Sequence, residues 1–132
     1  MEISLTGRSA IVTGGSKGIG FAVARKFLES GADVAIVGRT QATIDEAVPA
    51  LKAFAKGGKV AGVQGDVGSA ADLQRVYDET MKAFGKVDII VNNAGTSRAM
   101  PFEKVTDEIL HDDIEQKLFA AVRLIRLVSP QM

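Results

Sequence analysis

The chain has 132 residues, 46% hydrophobic and 24% charged, which suits one soluble domain with one core and leaves no room for two. Sixteen basic residues balance sixteen acidic ones without a long run of either sign, so neither a nucleic-acid backbone nor an anionic membrane is an expected partner. Cysteine is absent, which excludes disulfides and cysteine-bound metal, and no leader-like N-terminus or long apolar run is present, so a cytoplasmic location is expected.

In chain order, short apolar runs alternate with stretches of helical period, the pattern of βαβ units around a parallel sheet. Four strands are expected, at Arg8 to Thr13, Asp33 to Gly38, Lys59 to Gln64 and Val87 to Asn92, each β-branched and ending at a turn former. Ile19 to Ser30 places Val23, Phe27 and Leu28 on neighbouring turns and predicts a first helix, closed by Gly31 as a left-handed cap. Thr40 can cap a second helix to about Lys56 with Ile44, Val48, Leu51 and Ala55 inward; Pro49 inside it predicts a kink or a later start. Ser69 opens a third helix to about Phe84, facing the core with Leu73, Val76, Thr80 and Phe84, and residues 106–128 make a fourth. Right-handed crossovers then favour an α/β, doubly wound parallel sheet.

The first strand runs into Thr13-Gly14-Gly15-Ser16-Lys17-Gly18-Ile19-Gly20, and a helix begins at once. Unpaired N–H groups of that first helical turn, with glycines that let an anion approach, make a phosphate site. The phosphate-loop pattern fails because Phe21 stands where lysine is needed, and the common G-x-G-x-x-G spacing is absent. The spacing is T-G-x-x-x-G-x-G. Together with Asp66-Val67 after the third strand and Asn92-Asn93-Ala94-Gly95 closing the fourth, it resembles the short-chain dehydrogenase/reductase family across the whole chain.

That resemblance implies a Rossmann-like sheet of order 3-2-1-4 and a single dinucleotide-binding domain over residues 1–132, ending before the family's fifth strand. It implies cofactor contacts from Gly14, Ser16, Lys17, Gly18, Ile19 and Gly20, with Asp66 accepting from the adenine amino group and Val67 meeting the ring. Asn93, Ala94 and Gly95 would line the cofactor ribose. An NAD-binding site of this type ends its second strand with an acid, whereas this chain has Gly38-Arg39-Thr40. Asp33, the nearest acid, starts the strand and reads as a solvated residue. The Arg39 fork and the Lys17 ammonium suit a 2′-phosphate, so NADP(H) is expected over NAD(H).

The family's catalytic tyrosine with a lysine four residues on, and its serine, have no counterpart. Tyr77, the one tyrosine, is followed at that spacing by Met81 and reads as a packing residue. The family's relay asparagine aligns with Lys117 within Glu115-Gln116-Lys117-Leu118-Phe119; a protonated lysine cannot accept a hydrogen bond, leaving a reorganised relay, a register one turn off, or a surface cation. His111 with Asp112 and Asp113 points in diverging directions, so no metal site is expected. Ile114, Leu118, Ala121, Ile125 and Val128, widened by Phe119, Val122 and Leu124, form an apolar face, and the resemblance implies a homo-oligomer packed through this helix. The leading expectation is the cofactor half of an oxidoreductase acting on a small carbonyl or alcohol, inactive by itself. The alternative is a non-catalytic dinucleotide-binding module, with a phosphate- or methyl-donor-binding domain third.

Overall fold

The computed structural model describes residues 2–95 and 99–132. Four parallel strands, β1 (Ser9–Thr13), β2 (Asp33–Gly38), β3 (Val60–Gln64) and β4 (Ile89–Val91), form one sheet of order β3-β2-β1-β4, as expected. β4 is shorter than the Val87 to Asn92 expectation because it ladders only with β1, at Ala10, Ile11 and Val12.

Helices α1 (Gly18–Glu29) and α2 (Gln41–Lys52) cover one face of the sheet, and α3 (Ala70–Phe84) with α5 (Ala120–Val128) covers the other. Alternation along β1 divides the core accordingly. Ile11 joins Val37, Leu73, Val76 and Leu124, whereas its neighbour Val12 joins Ala24, Leu28, Ile36 and Leu51. Both faces are therefore buried, which is why β1 and β2 read as unbroken apolar runs.

The ends of α1 and α3 follow their sequence signals. At the end of α1, Gly31 has φ 95°, and the N–H groups of Gly31 and Ala32 donate to the carbonyls of Leu28 and Phe27, the double closure that a left-handed glycine allows. Ser69 caps α3 by accepting from the Asp72 N–H at 3.2 Å.

Other expectations need correction. α2 starts at Gln41 and runs through Pro49, whose side lies in solvent, but ends at Lys52 rather than Lys56 because the chain tightens into turns closed by Phe54 and Ala55. Thr40 occupies the capping position, yet its hydroxyl pairs with that of Thr43 at 2.8 Å instead of accepting a helix N–H. The fourth helix is three segments: α4 (Asp107–Ile114), a π-helical turn (Glu115–Phe119) and α5. The wider turn shifts the buried line to Ala120, Leu124 and Val128, so Ile114, Leu118, Phe119, Val122 and Ile125 of the expected face remain exposed.

Two smaller contacts tie the sheet ends together. Asp33 is more than a solvated residue, since its Oδ1 accepts from the Lys59 N–H at 2.7 Å and pins the start of β3 to β2. Past α5, the Gln131 carboxamide accepts from the Val87 N–H at 3.0 Å and donates to the Val87 carbonyl at 2.7 Å.

Candidate functional site

β1 and β4 end side by side, and the chain leaves them in opposite directions, toward α1 and toward residues 92–95. In an open parallel sheet such a divergence makes a crevice beyond the strand ends. Thr13, the last residue of β1, holds it together. Its buried hydroxyl accepts from the N–H groups of Asn93 and Ala94, both at 3.0 Å, and lies 3.3 Å from the Val91 carbonyl, to which it donates. The Asn93 carboxamide returns the contact, donating to the carbonyls of Thr13 at 3.2 Å and Gly14 at 3.3 Å. Asn93 thus lines the crevice while its donors are spent on β1, so its side chain acts as a clasp.

The glycines of the turn serve two purposes. A Cβ on Gly20 would lie 2.1 Å from the Gly14 carbonyl oxygen and 2.6 Å from the Asn93 amide nitrogen, so this glycine lets α1 seat against the clasp. Gly18, by contrast, has φ 61° and no atom within 4 Å of its Cβ direction, leaving open space at the helix start. No side chain caps α1, so its first-turn N–H groups remain available to an anion. Gly15 N–H donates to the Val37 carbonyl at 3.2 Å, and Ser16 packs against Gly38, which fixes the turn to the end of β2.

A cavity of about 420 Å³ opens over this turn, lined by Gly14, Ser16, Lys17 and Ile19 on one side and by Arg39, Thr40 and Thr43 on another. Asp66, Val67, Ala94, Gly95 and Gln116 close its far wall. Neither Lys17 nor Arg39 forms an ion pair among the described residues, so two cations face the cavity with their charge uncompensated. Asp66 is exposed, and its Oδ1 accepts from the Gly68 N–H at 2.9 Å, which leaves its second carboxylate oxygen open. Its own N–H donates to Asp72, and that bond, helped by Arg75, holds the Asp72 carboxyl below its ordinary value.

A second cavity, about 370 Å³, lies beside β4 and shares Val67, Asn93, Ala94, Gly95 and Gln116 with the first. Lys117 lines it from the π turn and sits 3.8 Å from Asp113 one turn back, a half-exposed pair. Tyr77 packs against the α3–α5 core, as expected of a structural residue. His111, Asp112 and Asp113 belong to no cluster of three or more metal-binding side chains among the described residues.

The cofactor residues expected from sequence thus converge, apart from Gly18 and Gly20, which shape the turn beneath the cavity. Thr43 and Gln116 were not anticipated. Thr43 could have been found from the first turn of α2, but Gln116 reaches the cavity from a π turn that periodicity does not reveal. An open helix start, room at Gly18 and two unpaired cations fit the phosphates of a dinucleotide.

Comparison with known proteins agrees. The family model described as short chain dehydrogenase matches residues 8–132. Dehydrogenase/reductase SDR family member 4 of Caenorhabditis elegans is 39% identical over 128 residues, 96% of this chain and 48% of that protein. L-Sorbose reductase from Gluconobacter frateurii, solved with NADPH and L-sorbose, superposes with a TM-score of 0.94 at 36% identity, covering 100% of this chain and 50% of that one. A short chain dehydrogenase from Burkholderia cenocepacia in complex with NADP gives 0.89 at 30% identity, covering 97% and 52%. The chain spans about half the length of the curated relatives it matches. On its sheet order, its glycine turn and these matches, the chain belongs to the short-chain dehydrogenase/reductase family.

Proposed function

We propose that this chain is the cofactor-binding half of an NADP(H)-dependent oxidoreductase that moves hydride between the nicotinamide and a small carbonyl or alcohol. The carrying observation is the pair Lys17 and Arg39, unpaired and lining one cavity where an NAD-specific site would place an acid. The NADPH and NADP complexes among its structural neighbours support the same reading. When bound, the dinucleotide supplies the hydride chemistry. The chain's own residues would bind and orient it: the α1 N–H groups the pyrophosphate, Lys17 and Arg39 the 2′-phosphate, Asp66 and Val67 the adenine, and Gly95 with Ala94 the ribose side.

A charge-assisted hydrogen bond contributes about 1.5–3 kcal/mol, so Arg39→Ala should weaken NADPH binding roughly ten- to a hundredfold. NADH affinity should stay almost unchanged. Equal losses for both cofactors in a titration would sink the assignment.

The lone tyrosine, partly buried against the α3–α5 core, favours a second reading, a dinucleotide-binding module without chemistry in this chain. Measurable carbonyl reduction by the homogeneous 132-residue protein would exclude it. Self-association through the exposed Leu118, Val122 and Ile125 face belongs to the same proposal. A monomer by light scattering would remove it. A cytoplasmic setting without membrane or nucleic-acid partners completes the reading; no described helix is long and apolar enough to cross a membrane.

A further inference from the structure

Gln116 has no part in the phosphate grip, yet it occupies the seam between the two cavities and lines both. The π turn brings it and Lys117 to the cavity side together, ahead of the buried Ala120. Its Cγ stands 4.0 Å from the Cβ direction of Gly68, so the side chain lies against the Asp66-Val67-Gly68 turn. The residue is half-buried, and its carboxamide has no hydrogen-bond partner among the described residues.

Bonding within a nucleotide decides what reaches this wall. With the 2′-phosphate at Lys17 and Arg39 and the pyrophosphate at the start of α1, the base on the neighbouring ribose carbon must turn toward the remaining side of the cavity. That side consists of Gly65 to Val67, Ala94, Gly95 and Gln116. Val67 and Ala94 offer apolar surface to a ring. Polar groups at its edge come from the open Asp66 oxygen, which only accepts, and from Gln116, which both donates and accepts. Adenine presents an amino donor beside ring-nitrogen acceptors, a pattern that a carboxamide matches with two hydrogen bonds.

We propose that Gln116 is a base-specificity residue, reading the adenine edge of the dinucleotide opposite Asp66; the inference rests on the NADP(H) reading of the cavity. The discriminating ligand is the purine analogue of NADPH, in which a hydrogen atom replaces the adenine amino group, removing the donor and leaving the ring-nitrogen acceptors in place. Gln116→Met keeps the side-chain length without its hydrogen bonds, and Gln116→Ala serves as a second variant should methionine repack; circular dichroism and melting curves check both folds.

Titrations of the full chain should show wild type favouring NADPH over the analogue. Gln116→Met should weaken NADPH roughly five- to tenfold while moving the analogue less than about twofold, so the preference shrinks toward the part Asp66 retains. Equal weakening of both ligands, or an unchanged ratio, overturns the proposal. If Arg39→Ala weakens NADPH as expected and the Gln116 ratio does not move, the inference fails and the cofactor assignment stands. If the 2′-phosphate proves immaterial, the same ratio taken with NADH and its purine analogue still decides the role of Gln116.

Discussion

β2 and β4 flank β1 on either side and both feed the candidate site, yet they are held in different ways. β2 is zipped to strands on both edges, and Val34 to Gly38 are fully buried between helix layers. β4 is three residues long, half-buried and laddered on one edge only. The proposed phosphate grip belongs to the first side, where Ser16 packs against Gly38 and the Gln64 carboxamide donates to the Arg39 carbonyl at 2.8 Å, just past the end of β2. On the second side, where packing is thin, position is supplied by directed hydrogen bonds from Thr13 and Asn93.

Truncating matched isoleucines tests that contrast most strongly. Ile36→Ala, within β2, should cost about 4 kcal/mol of stability, and Ile90→Ala, in the half-buried β4, about 1–2 kcal/mol. Urea titrations that gave equal losses would break the distinction. Next come the two glycines of the turn. Gly20→Ala forces a Cβ into the Gly14 carbonyl and the Asn93 amide and should cost about 3 kcal/mol, whereas Gly18→Ala meets open space and carries only the left-handed penalty of about 1–2 kcal/mol. A reversed order in thermal melts would show that α1 is not seated by the clasp. Thr13→Val leaves the N–H groups of Asn93 and Ala94 without their acceptor, at a cost of about 2 kcal/mol that Thr13→Ser should largely restore.

The smallest effect is electrostatic and sits where the two sides meet. Asp88 accepts from the Ser9 N–H at 2.9 Å, with Lys86 at 3.0 Å and Arg8 at 3.8 Å, and these hold its carboxyl below the ordinary value. Because the folded pKa is depressed, its contribution is complete above the unfolded carboxyl value near about pH 4 and disappears as pH falls through the folded value. The pair is partly solvated, so Asp88→Asn should lower stability by no more than about 1 kcal/mol at neutral pH. The gap between the two proteins should close on acidification; a gap that stayed constant to pH 2 would assign the loss to packing alone.

Much of the rigid side was legible in the sequence. Unbroken runs such as Ser9 to Thr13 and Val34 to Val37 announce strands buried on both faces, and Gly14 to Gly20 announces a tight glycine turn leading straight from strand into helix. The thinner side was harder to read. Periodicity in residues 106–128 suits a single helix, and nothing in the letters marks the π turn that shifts the buried face to Ala120 and Leu124 and brings Gln116 into the cavity. The Asn93 role was blurred for another reason. A carboxamide at a strand end can face a ligand or a neighbouring backbone, and only the position of Gly14 decides which.

Gln131 gives the weaker side a property of a different kind. Asp88 donates to the Ser9 carbonyl, so by the alternation of a parallel ladder the N–H and carbonyl of Val87 point away from β1, toward the open flank. The Gln131 carboxamide satisfies both, copying with one side chain the donor and acceptor of a strand residue. The first rung of that flank is therefore already occupied. A strand joining β4 must either displace an amide that makes three hydrogen bonds or begin its pairing beyond Val87, which gives the exposed edge a fixed starting point instead of a sliding one.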